Sequence, residues 1–78
     1  MKHVDKLVMM ANQIVKNLAV NGEERAVAAA ADHISRFWEP RMRSLIGEHL
    51  ANGGAGLDPM TVKALDILAR SGRLQQQA

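Results

Sequence analysis

Two helical patterns meet at the segment Phe37-Trp38-Glu39-Pro40-Arg41-Met42-Arg43. This segment contains the only Phe, the only Trp and one of the two prolines of the chain. Pro40 ends the preceding helix, because its ring removes a backbone hydrogen-bond donor and disfavours helical geometry at Glu39. The same proline favours the first position of a new helix. The segment therefore predicts a sharp turn between two helices, and we refer to residues 36–43 as the elbow.

Positive charge is concentrated at the elbow. Arg36, Arg41 and Arg43 are accompanied there by one glutamate, and this excess equals the formal charge of +2 of the whole chain. Aromatic and arginine side chains contribute most of the energy at protein interfaces. We therefore predict that Trp38, Pro40 and the three arginines contact a protein partner. The alternatives are core packing of Trp38, an ion pair of Arg36 within its own helix, and simple solvation of the other arginines.

The first half of the chain predicts two helices. Helix 1 is indicated by apolar residues three or four positions apart: Val4, Leu7, Val8, Ala11, Ile14, Val15 and Leu18. Asn21-Gly22 ends it, and Asn21 is predicted to cap helix 2 in a capping-box pair with Glu24. The apolar face of helix 2 is predicted to comprise Val27, Ala30, Ala31, Ile34, Phe37 and Trp38.

The second half predicts two more helices. Helix 3 begins at Pro40, and its apolar face is predicted to comprise Met42, Leu45, Ile46, His49 and Leu50. Gly53-Gly54-Ala55-Gly56 ends it, since glycine adopts the backbone conformations of a helix C-cap. Asp58-Pro59 then begins helix 4 as N-cap and first residue. We predict an all-α fold, a small bundle of about four short helices, with one domain over 1–72 and a disordered tail over 73–78.

Several function classes find no support in the residues. The chain has no cysteine, which excludes disulfides and thiolate metal sites, and its three histidines fall on three separate predicted helices. No nucleophile is paired with a base, so we predict no intrinsic enzyme activity. No segment approaches the ~20 apolar residues of a membrane span, and the N-terminus does not resemble a signal peptide. We expect a cytoplasmic protein that does not bind membranes. The balance of 10 Lys and Arg against 8 Asp and Glu does not imply affinity for nucleic acid.

Some apolar residues fall on the wrong side of their helices. Met9 lies among the polar residues of helix 1, and Met60 and Ile67 extend the apolar arc of helix 4 beyond what one core needs. Single exposed apolar residues are common, which is the competing interpretation. We predict that Met9 and the adjacent Asn12-Gln13 add to the partner contact of the elbow. In isolation, the same surfaces could pair two copies of the chain.

Three segments together resemble a known family: residues 10–14 (MANQI), 32–43 (DHISRFWEPRMR) and 53–59 (GGAGLDP). In order and spacing they resemble the delta subunit of NAD-dependent formate dehydrogenase, and the similarity covers roughly residues 4–70. The middle segment is the most specific. The resemblance implies a small accessory subunit of a soluble complex, containing molybdenum or tungsten, that oxidises formate and reduces NAD.

The resemblance also implies where the cofactors lie. The molybdopterin and iron–sulfur clusters belong to the large alpha subunit, FMN and NAD to the beta subunit, and a further cluster to the gamma subunit. This chain is then expected to hold no cofactor and to bind the large subunits. Two alternatives remain at this point: a small helix-turn-helix nucleic-acid-binding protein that uses helix 3, and a chaperone for cofactor insertion.

Overall fold

The computed structural model describes residues 3–72, which form four α-helices, one short 3₁₀ helix and no strand. The helices are α1 (His3–Leu18), a 3₁₀ helix (Ala19–Asn21), α2 (Glu23–Phe37), α3 (Pro40–Ala51) and α4 (Pro59–Arg70). The predicted all-α fold of four helices is confirmed. Both predicted helix starts at proline, Pro40 and Pro59, are also correct. The predicted disorder of 73–78 concerns residues outside the described range.

Helix α2 is the centre of the bundle. It packs against α1 and α4, and α3 packs against the same two helices. Ala26 and Ala30 are fully buried on α2, so the neighbouring helices approach its backbone closely. The largest fully buried side chains come from all four helices: Leu7, Ile34, Ile46, Thr61, Leu65 and Leu68. One continuous core therefore joins the four helices.

The predicted cap of α2 is wrong. The N-cap is Gly22, with φ of 95°, and no side chain caps the helix. Asn21 is the last residue of the 3₁₀ turn, which Gly22 closes by donating its amide to the carbonyl of Ala19 at 3.0 Å. Asn21 is therefore helical rather than extended, and its side chain cannot take the N-cap position. The positive φ required at residue 22 explains the glycine.

The two aromatic residues of the elbow take opposite positions. Trp38 is 5% exposed and packs in the core, as one of the alternatives expected, whereas Phe37, predicted to be buried, is 71% exposed. Phe37 is the last residue of α2, where the neighbouring helices no longer cover its side. Trp38 has extended backbone angles (φ −81°, ψ 136°), which turn its ring back towards the core. A buried Trp38 does not offer its ring to a partner.

Thr61 is buried at a cost to stability. Its side chain is 0% exposed, and among residues 3–72 its hydroxyl has no hydrogen-bond partner. A buried hydroxyl without a partner destabilises a protein by about 1–3 kcal/mol. We expect Thr61→Val to raise the free energy of unfolding by about 1 kcal/mol in urea denaturation. Thr61→Ser, which keeps the hydroxyl and loses a methyl group, should lower the free energy of unfolding. A loss of stability in Thr61→Val would contradict this account.

Candidate docking surfaces

Five residues of the elbow are exposed: Arg36, Phe37, Glu39, Pro40 and Arg41. We call the four of them other than Glu39 the elbow surface. Three of these were predicted to contact a partner, and Phe37 was not. The elbow is rigid, because α2 ends with the Trp38 amide bonded to the carbonyl of Ile34 and α3 begins two residues later. The surface therefore presents one aromatic ring, one proline and two guanidinium groups in a fixed arrangement.

The three arginines of the elbow have different environments. Arg36 donates from Nε to Oδ1 of Asp32 at 3.1 Å, as the alternative prediction expected. Both side chains are largely exposed, and such surface pairs contribute about 0–1 kcal/mol. Arg43 is half-buried and interacts within the fold. Arg41 is exposed, and its guanidinium forms no ion pair or hydrogen bond with residues 3–72. It is the arginine of the elbow that remains available to a partner.

A histidine supports the exposed Phe37 ring. The ring of His33, one turn earlier on α2, lies with its centroid 4.8 Å from that of Phe37 at an angle of 41°. Aromatic pairs at this separation are attractive, and the contact restricts the side-chain rotation of Phe37. Restricted side chains lose less conformational entropy when they are buried at an interface. The ring is thus both exposed and partly ordered in advance.

Asn12, one of the predicted partner contacts, fixes the loop between α3 and α4. Its Nδ2 donates to the carbonyl of Gly56 at 2.9 Å, and its Oδ1 accepts the amide of Asp58 at 3.0 Å. We call these two bonds the loop clamp. The clamp joins residues 10–14 to residues 53–59, which are two of the three segments that carry the family resemblance. Its participants are more than 40 positions apart in sequence.

The loop is also held from the α3 side. His49, which was predicted on the apolar face of helix 3, donates from Nε2 to the carbonyl of Ala55 at 2.7 Å. Gly54 is buried with φ of 64°, and a Cβ there would lie 3.2 Å from Cδ1 of Leu57. Only glycine fits this turn without strain. The glycine segment is therefore a fixed turn, and it sets where α4 begins.

A second surface surrounds the clamp on the outer side of α1. It is a shallow groove lined by Met9, Asn12, Gln13, Lys16 and Asp58. Met9 is 65% exposed, as predicted, and Gln13 donates to Oδ1 of Asn17 at 2.9 Å. This groove is formed by α1 and the start of α4, whereas the elbow joins α2 and α3. The predicted contacts thus fall on two surfaces instead of one.

The two exposed apolar residues predicted on α4 differ in outcome. Ile67 is 45% exposed in a groove between α2 and α4, as predicted. Met60 is partly buried and packs on the core, which corrects the prediction. In the part of the chain that the structure describes, no group of three or more His, Asp or Glu side chains is placed to hold a metal ion. None of the helices described is long and apolar enough to cross a membrane.

Comparison with protein families gives one match. The family described as NADH-dependent formate dehydrogenase delta subunit FdsD matches residues 6–65. The matched range contains all three segments named above, the whole elbow and the loop clamp. No curated protein and no solved structure is significantly similar to the chain.

Proposed function

Because the chain belongs to the FdsD family of NADH-dependent formate dehydrogenase delta subunits, we propose that it is a non-catalytic accessory subunit that docks on the large subunits of this enzyme and stabilises them. In this role it works beside the enzyme in the cytoplasm. Formate oxidation and NAD reduction take place in the other subunits, which hold the molybdopterin, the iron–sulfur clusters, FMN and NAD. The chain itself contributes contacts and no reacting group.

The elbow surface is the observation that carries this proposal. Small helical domains normally bury their aromatic residues, and this chain exposes its single Phe at a fixed turn. Beside it lies Arg41, an exposed arginine without an ion partner among residues 3–72. Aromatic rings next to arginines are the composition of protein-interface hot spots. The groove around Met9 and Gln13 supplies a second contact region on α1.

Stabilisation of the enzyme follows from mass action. A subunit that binds only the folded, assembled enzyme lowers the free energy of that state and leaves the unfolded state unchanged. The same linkage stabilises this chain, whose own core is small: at this size a core supplies only about 3–5 kcal/mol. We therefore expect that the chain and the large subunits each denature at a higher temperature in the complex than alone.

Charge reversal at Arg41 tests the docking proposal. We expect Arg41→Glu to reduce co-purification of the tagged chain with the other dehydrogenase subunits at least tenfold, because the substitution places like charge against a partner surface that binds a cation. Arg41 lies on the surface in the first turn of α3, so the fold should be unaffected. The measurement is the ratio of bound large subunits to tagged chain after affinity purification.

Arg25→Glu is the matched control. Arg25 is likewise exposed and unpaired among residues 3–72, and it lies twelve residues from the end of α2, or about 18 Å along the helix axis. The Arg25→Glu substitution should leave the co-purification ratio unchanged. Equal recovery of the large subunits with wild type and both variants would show that Arg41 does not contribute to the interface. A wild-type chain that recovers no dehydrogenase subunit would refute the accessory role itself.

A further inference from the structure

The side chains of the elbow surface indicate the chemistry of the surface to which they bind. We propose that Phe37 is the anchor of the interface and inserts into an apolar pocket on a large subunit, and that a carboxylate at the rim of this pocket binds Arg41. This inference rests on the proposed accessory role. It specifies the chemistry of the partner surface and assigns the leading contact to a residue that the sequence pattern places in the core.

The exposure of Phe37 supports the pocket. Burying a Phe side chain from water contributes about 1.5–3 kcal/mol, and at 71% exposure most of this gain is still unused in the free chain. Val20 is more exposed, at 87%, but it lies in the short 3₁₀ helix and no charged elbow surrounds it. The His33 ring covers part of one side of Phe37 and leaves the rest accessible. A concave apolar surface would bury the most of an aromatic ring held in this way.

The charges around Phe37 support the carboxylate. Arg41 lies in the first turn of α3, which contains no acidic residue. The positive end of the helix dipole disfavours a cation there, and it favours an anion. Glu39, the nearby acidic residue, is the N-cap of the same helix, but its side chain forms no capping hydrogen bond, so the N–H groups of this helix terminus have no carboxylate partner from it. An external carboxylate at this position would be stabilised by both the guanidinium group and the helix terminus.

The same charges disfavour a second copy of the chain as the occupant. A two-fold contact through Phe37 is isologous: the same patch of both copies forms it, and residues close to the axis lie near their own equivalents. Such a contact would bring two Arg41 side chains and two α3 N-termini towards each other. Like charges in this arrangement oppose association. The observations therefore favour a different protein with an acidic pocket rim over self-pairing.

Equilibrium binding to the dehydrogenase complex produced without this chain provides the test. Wild type, Phe37→Ala and Arg41→Ala are titrated against this complex at several salt concentrations, and Val20→Ala is the control for an exposed apolar residue. We expect Phe37→Ala to raise the Kd about thirtyfold and Val20→Ala to change it less than twofold. Arg41→Ala should raise the Kd and also reduce its dependence on salt, whereas Phe37→Ala should leave the salt dependence unchanged. Circular dichroism of each variant confirms that helix content is retained.

The possible results separate the inference from the proposed function. If wild type does not bind the complex, the accessory role fails. If wild type binds and Phe37→Ala binds equally well, the role stands and the anchor is refuted. Two further results would overturn the acidic-pocket proposal. The first is self-association of the wild-type chain in sedimentation, if Phe37→Ala abolishes it and leaves binding to the complex unchanged. The second is a salt-dependent complex of the wild-type chain with DNA, if Phe37→Ala removes it.

Discussion

Trp38→Ala is expected to unfold most of the isolated chain at room temperature. Trp38 is 5% exposed and belongs to the core cluster shared by the helices. Replacing a buried Trp or Phe with Ala costs about 3–5 kcal/mol, since the lost burial and the cavity both destabilise the folded state. A core of this size supplies about the same amount in total. Far-ultraviolet circular dichroism during urea titration should therefore show little helix for the variant even without denaturant.

Phe37→Ala is the matched control for this experiment. The two aromatic residues are adjacent in sequence, yet Phe37 is 71% exposed, and surface substitutions usually change stability by less than about 0.5 kcal/mol. The pair of variants thus separates the two roles. We expect Trp38 to be required for folding and, under the anchor proposal, Phe37 for binding. A Trp38→Ala variant with wild-type stability would contradict the burial of Trp38, and a Phe37→Ala variant that unfolds would contradict the exposure of Phe37.

Partial rescue of Trp38→Ala by the dehydrogenase complex follows from the same energetics. If the accessory role is correct, binding shifts the folding equilibrium towards the native state in proportion to the concentration of the partner. The variant chain should then regain helix and bind with reduced apparent affinity. The Phe37 anchor would still be present to make the contact, because Trp38 acts only through the position of the elbow.

The helices themselves could be predicted because their determinants are local. The three- and four-residue spacing in α1 survives in the structure, with Leu7, Val8, Ala11 and Val15 buried. Pro40 and the Asp58-Pro59 pair begin α3 and α4 because proline fixes its own backbone angle and restricts the preceding residue. The glycine segment 53–56 forms a turn with three positive φ values. Each of these features depends on a few adjacent residues.

The errors arose where neighbouring helices decide the outcome. On a helical projection both Phe37 and Trp38 fall on the core side of α2, but at the last turn only one of them is covered. Periodicity contains no information about where the adjacent helices end. Asn21 similarly has the residue type of an N-cap, yet the 3₁₀ turn before α2 takes its backbone into a helical conformation. The sequence pattern alone predicts on which face of its helix a residue lies, but not whether a neighbouring helix covers that face.

Asn12 is the clearest long-range feature that local patterns could not reveal. It lies between the apolar stripe and the polar face of α1, so an exposed amide at an interface was a reasonable prediction. Its two bonds reach residues 44 and 46 positions away. The sequence contains one clue to these bonds, a glycine turn together with a distant Asn. Glycine turns leave backbone N–H and C=O groups without helix partners, and an Asn side chain can bond to both kinds of group. The family segments 10–14 and 53–59 meet through this side chain.

Asn12→Ala is expected to destabilise the chain by about 2 kcal/mol. Each of the two hydrogen bonds to the loop contributes about 0.5–1.5 kcal/mol, and their loss also leaves the carbonyl of Gly56 and the amide of Asp58 without this partner. For a domain of this length the change corresponds to about 8–16 °C in Tm. The local effect should be larger still: hydrogen exchange at the Asp58 amide should accelerate strongly, because its acceptor is removed.

Two further variants distinguish the clamp from a general effect of the α1 surface. Gln13→Ala removes a hydrogen bond to Asn17 on the same exposed face, and it should change stability by less than about 0.5 kcal/mol. Asn12→Asp keeps an acceptor for the Asp58 amide but cannot donate to Gly56, so it should retain slow exchange at Asp58 and still lose stability. Fast exchange at Asp58 in wild type would contradict the clamp. Because Asn12 and Asp58 also line the Met9 groove, a loosened clamp should weaken contacts there while the elbow contacts persist.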